Sequence, residues 1–101
     1  MRLRERRRAR RYRLKLPLCR IEPDAGGFLA VRDISLTGAR VEGQNPPRPG
    51  AEVRLFLGDG TGAQVAALGR VVREDASEPQ EFAIEFLGPN PRMLNAALDW
   101  A

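Results

Sequence analysis

The chain has 101 residues, of which 43% are hydrophobic, and this length suits a single globular domain. It contains no histidine, which excludes Ser-His-Asp and Cys-His catalysis and every histidine-containing zinc site. Its single cysteine, Cys19, excludes an intramolecular disulfide and a cysteine-only zinc site. No apolar run is long enough to cross a bilayer or to serve as a secretory signal, so we expect a cytoplasmic protein.

The net charge of +4 at pH 7 is unevenly distributed along the chain. Residues 1–15 carry nine basic side chains against one acidic side chain, Glu5, while the remainder carries eight basic and twelve acidic ones. The body of the domain is therefore net acidic, and this asymmetry indicates a terminal segment that meets an anion. Residues 1–10 are almost entirely charged and have no apolar face to bury, so we expect a flexible basic arm.

The first predicted strand begins at Arg11, where the charged segment gives way to an alternating pattern. Apolar side chains stand at every second position, which is typical of a half-buried strand: Tyr12, Leu14, Leu16 and Leu18. Pro17 within this run indicates an edge position or a bulge, because proline has no backbone N–H to donate. A turn is expected at residues 23–27, where proline, aspartate and glycine cluster.

Five further segments have the alternation and composition of strands: 28–34, 39–42, 53–57, 64–74 and 81–87. Most of the connections between them are short and rich in glycine, proline, serine or asparagine, notably at 35–38, 43–50 and 58–62. Gly69 interrupts the longest of these segments, and there we expect a bulge or a close approach of two backbones.

The C-terminal segment 90–99 has the pattern of a helix. Asn90 is a good helix cap, and Pro91 stands at the first helical position, where its missing N–H costs nothing. Apolar side chains then recur at helical spacing: Leu94, Ala97 and Leu98. Six strands without intervening helices predict an all-β fold, in which a six-stranded antiparallel β-barrel over 11–88 removes exposed edges. The chain is thus expected to be one domain with a short helix at its C-terminus.

Two motifs carry the chemistry of the sequence. The first is the arginine-rich run Arg6-Arg7-Arg8-Ala9-Arg10-Arg11, immediately before the first strand. The second is the segment Asp33-Ile-Ser-Leu-Thr-Gly38, between two strands. Each has a plain structural interpretation, since the run suits a solvated basic arm and the segment suits a turn held by side chain to backbone hydrogen bonds.

Together the two motifs resemble a PilZ domain. Arg7-x-x-x-Arg11 precedes an aromatic residue and a Leu-Pro strand, and Asp33-x-Ser35-x-x-Gly38 follows further along the chain. The resemblance spans the whole chain, because the Gly-Arg-Val-Val run at 69–72, the Ile-Glu-Phe strand and the terminal helix also fit. It implies a receptor for cyclic di-GMP, a bacterial second messenger with two phosphates and two guanines.

The resemblance assigns ligand-binding roles to five residues. It makes Arg7 and Arg11 the essential pair, whose guanidinium groups suit phosphate or the O6/N7 edge of guanine. Asp33 accepts hydrogen bonds from guanine N1–H and N2–H₂, which favours guanine over adenine. Ser35 supplies a small hydroxyl donor, to phosphate or to the loop itself, and Gly38 lets the backbone pass close to the ligand.

Other arginines are supplementary candidates. Arg6 and Arg8 are supporting charges, while Arg40 and Arg70 either face the same pocket from neighbouring strands or lie on a solvated face. Two other arginine pairs have the spacing of the motif and stay open as alternatives: Arg4 with Arg8, and Arg6 with Arg10. No metal, cofactor or catalytic residue is expected, since the carboxylates are scattered without metal-ligand or paired spacing.

The sequence thus predicts a binding module rather than an enzyme, one in which the arm closes over cyclic di-GMP and the changed surface passes the signal to a downstream protein partner. One alternative is a small nucleic-acid-binding β-barrel, although the acidic body lacks the interleaved aromatic and basic side chains of a stacking platform. A degenerate PilZ module that acts only in protein interaction is the other.

Overall fold

The computed structural model describes residues 10–14, 18–23, 29–43, 46–58, 62–72 and 81–100. These residues form seven strands followed by one helix. The elements in chain order are β1 (Tyr12–Arg13), β2 (Leu18–Glu22), β3 (Leu29–Ile34), β4 (Gly38–Gly43), β5 (Glu52–Gly58), β6 (Gln64–Val72), β7 (Glu81–Phe86) and α1 (Pro91–Trp100). The predicted all-β class and the C-terminal helix are confirmed. The predicted arm at 1–10 and the turns at 23–27 and 58–62 lie largely outside the described residues.

All seven strands belong to one antiparallel sheet with the order β1-β3-β2-β5-β6-β7-β4. The sheet curls until β4, at the far end of this order, also pairs with β3. Five pairs of residues join β4 to β7, whereas only two pairs join β2 to β3. The result is a curled, barrel-like sheet of seven strands rather than the six-stranded barrel that the sequence predicted, and β1 and β2 are each joined to β3 by two described pairs.

The predicted count of six strands is wrong, because the structure has β1 at the start of the first predicted strand and a further strand, β2, that begins at its last alternating residue, Leu18. Both strands pair with β3: Tyr12 of β1 with Ile34, and Leu18 of β2 with Ala30. Leu14, which follows β1, continues the contact by donating its backbone N–H to the carbonyl of Arg32 at 3.0 Å. Residues 15–17, which include the Pro17 for which an edge position or a bulge was predicted, lie outside the described residues.

Alternation of side chains along the strands builds a single core. In β5, Val53, Leu55 and Leu57 are buried while Glu52 and Arg54 are exposed, which confirms the predicted period of two. The same core takes side chains from the segment after β1, from β2 to β7 and from the helix. Its largest fully buried members are Val31, Ile34, Val41, Leu55, Leu57, Val71, Ile84 and Met93.

Gly69 does not interrupt its strand, because β6 runs without a break from Gln64 to Val72. The predicted close approach at this position is nevertheless confirmed. A Cβ atom placed on Gly69 would lie 2.5 Å from Cγ2 of Ile84 and 2.8 Å from the carbonyl oxygen of Glu85. The glycine thus allows β6 and β7 to pack closely.

The helix α1 begins as the sequence predicts. The Asn90 side-chain oxygen accepts a hydrogen bond from the backbone N–H of Met93 at 2.9 Å, which is the geometry of an N-cap. The buried face of α1 consists of Met93 and Ala97, one turn apart, whereas Leu98 is 41% exposed. Among the described residues, no helix is long and apolar enough to cross a membrane.

Candidate ligand-binding site

The site begins with an irregularity in β3. The pairing of β3 with β4 shifts between Val31 and Asp33, so that one extra residue, Arg32, is inserted opposite β4. Val31 and Ile34 are fully buried, while the two residues between them are only partly buried. The bulge therefore turns two consecutive side chains, those of Arg32 and Asp33, to the outside of the sheet.

Ser35 organises the connection between β3 and β4. Its hydroxyl accepts the N–H of Thr37 at 3.2 Å and donates to the carbonyl oxygen of Gly38 at 3.3 Å. Its backbone N–H donates to the same carbonyl at 2.8 Å. Only 7% of Ser35 is exposed, and its hydroxyl forms its hydrogen bonds with other residues of the turn.

The same turn is attached to the elements that follow it in the sheet. The Thr37 carbonyl accepts the N–H of Phe86 at the end of β7, and the Leu36 carbonyl accepts that of Asn90, at 2.8 and 2.9 Å. Gly38 completes this attachment, since a Cβ atom there would lie 2.7 Å from the carbonyl oxygen of Ile84. The glycine is required for the contact of β4 with β7.

Arg11 and Asp33, which are 22 residues apart in the sequence, meet at the outer face. The Arg11 Nη1 atom lies 3.5 Å from Oδ1 of Asp33, and the Arg11 side chain is about half exposed. Beside this pair lies a cavity of about 110 Å³. Its lining consists of Arg11, Asp33, Ser35, Thr37, Gly38, Ala39, Val72, Ala83, Ile84 and Glu85.

A row of charges extends from Asp33 across β4 and β7. Arg40 pairs with Asp33 in the sheet, and its Nε atom lies 3.8 Å from Oδ2 of Asp33. Its Nη1 atom lies 3.6 Å from Oε1 of Glu81. Arg32 contacts the other Glu81 oxygen at 3.5 Å and binds Glu42 at 2.8 Å. The hydrogen bond and charge of Glu42 raise the pKa of Arg32, which keeps that guanidinium protonated.

The remaining predicted site residues have different positions. The Arg70 guanidinium is half exposed and contacts Glu52 of β5 at 3.4 Å, and Arg70 is not among the residues that line the cavity. Arg10 also lies outside that lining and places its guanidinium 5.5 Å from the ring of Tyr12. Arg6, Arg7 and Arg8 lie outside the described residues.

Several residues near the site were not predicted, among them Arg32 and Glu42 of the charge row. Thr37 and Glu85 line the cavity, and Glu81 joins the charge row. Thr37 stands inside the motif, so its position between Ser35 and Gly38 was an available signal. For Glu81 and Glu85 the contacts depend on the pairing of β7 with β4, which the sequence alone does not specify. In the described part of the chain, no cluster of three acidic or cysteine side chains is placed to hold a metal ion.

The comparison with protein families agrees with this geometry. The family model described as PilZ domain matches residues 5–100, nearly the whole chain. The chain therefore belongs to the PilZ domain family, a family of cyclic di-GMP receptor domains that are binding modules rather than enzymes. No curated protein and no solved structure matches the chain.

Proposed function

We propose that this protein is a cytoplasmic receptor that binds cyclic di-GMP at the cavity beside Arg11 and Asp33. The observation that carries the proposal is the meeting of these two side chains at 3.5 Å, next to a cavity that Ser35 and Gly38 also line. The sheet thus brings one described member of the arginine motif to the aspartate, serine and glycine of the second motif. The family supplies the ligand, and the juxtaposition supports the site.

The chemistry of the pair suits a ligand that carries both guanine and phosphate. A guanidinium presents a planar fork of donors, which matches phosphate oxygens or the O6/N7 edge of guanine. The Asp33 carboxylate offers two acceptors to guanine N1–H and N2–H₂. In this structure, the Arg11–Asp33 contact of 3.5 Å is longer than the usual 2.7–3.2 Å of an N–H···O hydrogen bond. A ligand that gives each group a closer partner can therefore replace it.

The size of the cavity supports a role for the N-terminal segment. Pockets for drug-sized ligands measure roughly 300–1,000 Å³, whereas this cavity measures about 110 Å³. It has room for one part of a cyclic dinucleotide, and the rest would need further contacts. We propose that Arg7, with Arg6 and Arg8 as supporting charges, closes over the ligand and forms these further contacts. The ordered segment then presents a changed surface to a downstream protein partner.

The two turn residues and the charged pair have different roles in the site. Ser35 and Gly38 hold the turn and its contact with β7, so they shape the cavity wall. Arg11 and Asp33 provide the charged groups that meet the ligand. Of the arginine pairs with the spacing of the motif, Arg7 with Arg11 is favoured, because Arg11 lines the cavity while Arg10 contacts Tyr12.

Calorimetric titration with cyclic di-GMP tests the proposal. Charge-assisted hydrogen bonds contribute about 1.5–3 kcal/mol, and each 1.4 kcal/mol is a factor of ten, so Arg11→Ala should weaken binding by about ten- to a hundredfold. Asp33→Asn should weaken it by a similar factor and reduce the preference for cyclic di-GMP over cyclic di-AMP. Arg7→Ala should resemble Arg11→Ala, and Arg6→Ala should cost less.

Arg48→Ala is the matched control, since it removes one exposed arginine from the loop before β5, which does not line the cavity. Its affinity should equal that of the wild type. A wild-type chain that gives no saturation at high micromolar cyclic di-GMP would refute the proposal. Binding to unrelated oligonucleotides that weakens steeply with salt would favour the nucleic-acid alternative instead.

A further inference from the structure

Glu81 occupies an unusual position in the charge row, between two arginines of different strands. Its Oε1 atom lies 3.6 Å from Nη1 of Arg40, and its Oε2 atom lies 3.5 Å from Nη1 of Arg32. Only 19% of the Glu81 side chain is exposed, so this carboxylate is less screened by solvent than an ordinary surface glutamate.

Arg40 is held between two carboxylates by this arrangement. One side of its guanidinium faces Asp33 at 3.8 Å, and the other faces Glu81 at 3.6 Å. Asp33 lines the cavity and Arg40 does not. The guanidinium therefore lies off the cavity side of Asp33 and toward Glu81.

We propose that Glu81 is a positioning residue that draws Arg40 away from Asp33 and so keeps both Asp33 oxygens available for guanine. This inference rests on the proposed function of the site. A carboxylate that recognises guanine must accept from N1–H and N2–H₂ at once, which occupies both oxygens. A close, bidentate pair of Arg40 with Asp33 would compete for the same oxygens.

The surroundings of Glu81 support this role. Arg32 binds Glu42 at 2.8 Å, the closest of the contacts in the row, and so presents a fixed cation to the far side of Glu81. Glu81 is thereby tethered at one oxygen while the other attracts Arg40. Without its negative charge, the nearest carboxylate of the row for Arg40 would be that of Asp33, directly opposite in the sheet.

The test is the substitution Glu81→Gln, which keeps the size of the side chain and removes its charge. It should weaken cyclic di-GMP binding by about three- to tenfold, within the range of coupling between neighbouring residues. Because the effect acts through Asp33, the preference for cyclic di-GMP over cyclic di-AMP should fall in the same proportion. Glu81→Asp, which retains the charge, should recover part of the affinity.

A double-mutant cycle separates this role from a purely structural one. Arg40→Ala removes the competitor, so adding Glu81→Gln to it should cause no further loss. Glu52→Gln is the matched control, because it removes an acid that also pairs with an arginine, Arg70, but does not line the cavity. The titrations are repeated at about 1 M salt, where a Debye length of about 3 Å suppresses the general effect of charge on an anionic ligand.

The outcomes distinguish the two proposals. If the wild type does not bind cyclic di-GMP, the proposed function and this inference both fail. If the wild type binds but Glu81→Gln binds equally or more tightly, only the role of Glu81 is overturned. A loss that persists in the Arg40→Ala background overturns it as well, because Glu81 would then act by another route.

Discussion

Gly38 lies where β4 packs closely against β7. A substitution at this position therefore tests the packing of the two strands without any ligand. The substitution Gly38→Ala adds one Cβ atom, which would lie 2.7 Å from the backbone carbonyl oxygen of Ile84. Ordinary van der Waals contact begins at 3.4 Å, so the two strands must separate by about 0.7 Å at this point. Neither atom belongs to a flexible side chain, and the strain therefore falls on the ladder between the strands.

Adding a methyl group to a well-packed site typically costs 1–3 kcal/mol. For a domain of this size each kcal/mol lowers the Tm by about 4–8 °C, so Gly38→Ala should melt roughly 5–20 °C below the wild type. Ser35 and Thr37 belong to the turn that ends at Gly38. A displaced Gly38 therefore also strains the hydrogen bond between the Thr37 N–H and the Ser35 hydroxyl.

Thermal unfolding of the ligand-free protein, followed by far-ultraviolet circular dichroism, measures this effect. Gly88→Ala is the matched control, because a Cβ atom at Gly88 would meet nothing within 4 Å. Its Tm should stay within about 2 °C of the wild type, on the usual scale of surface substitutions. If Gly38→Ala and Gly88→Ala have the same Tm, the close approach of β4 and β7 does not constrain position 38, and the predicted strain is refuted.

Four further predictions concern stability and reactivity. Asn90→Ala should lower the Tm by about 4–8 °C, since an N-cap contributes about 1 kcal/mol, while Asn95→Ala on the exposed side of α1 should not lower it. Ser35→Ala should cost about 1–2 kcal/mol in urea unfolding, because it removes the acceptor for the Thr37 N–H; an unchanged midpoint would mean that water or another group replaces it. Burial raises the pKa of the Cys19 thiol from 9.0 to about 12, so at pH 8 the native protein should react with a disulfide reagent far more slowly than the urea-unfolded chain. Because the folded state then holds this proton more tightly than the unfolded state, stability should fall as the pH rises from 9 toward 12, and Cys19→Ala should lack that part of the decline.

Most of the strands could be predicted from the sequence, because each is buried on one face and so has alternating apolar and polar side chains. The alternation in β5 gave its position to within one residue, since Val53 and Leu57 bound a strand observed as Glu52–Gly58. The helix was equally clear, because Asn90 and Pro91 mark its start. The strand β2 was not, since the alternating pattern that predicted the first strand ends at Leu18, where β2 begins.

The candidate residues Arg11 and Asp33 were chosen from their spacing in the sequence, whereas the side chains that neighbouring strands bring to them could not be chosen in this way. The motif from Asp33 to Gly38 could be recognised as a unit, but the contacts of Arg40 and Arg70 depend on which strands lie beside them. In the folded chain Arg70 meets Glu52 of β5, whereas Arg40 meets Glu81 of β7. Cross-strand contacts of this kind follow from sheet order and register, which local alternation does not determine.

The bulge in β3 also determines where this strand tolerates a change of length. Arg32 is the additional residue opposite β4, and the pairs on either side of it, Val31 with Val41 and Asp33 with Arg40, are consecutive on β4. Deleting Arg32 would therefore restore regular pairing without exchanging the inner and outer faces. A one-residue deletion in β3 outside the Arg32–Asp33 pair would shift the strand's inner and outer faces. Length variation among related chains in this strand should accordingly be confined to the two bulge positions, 32 and 33.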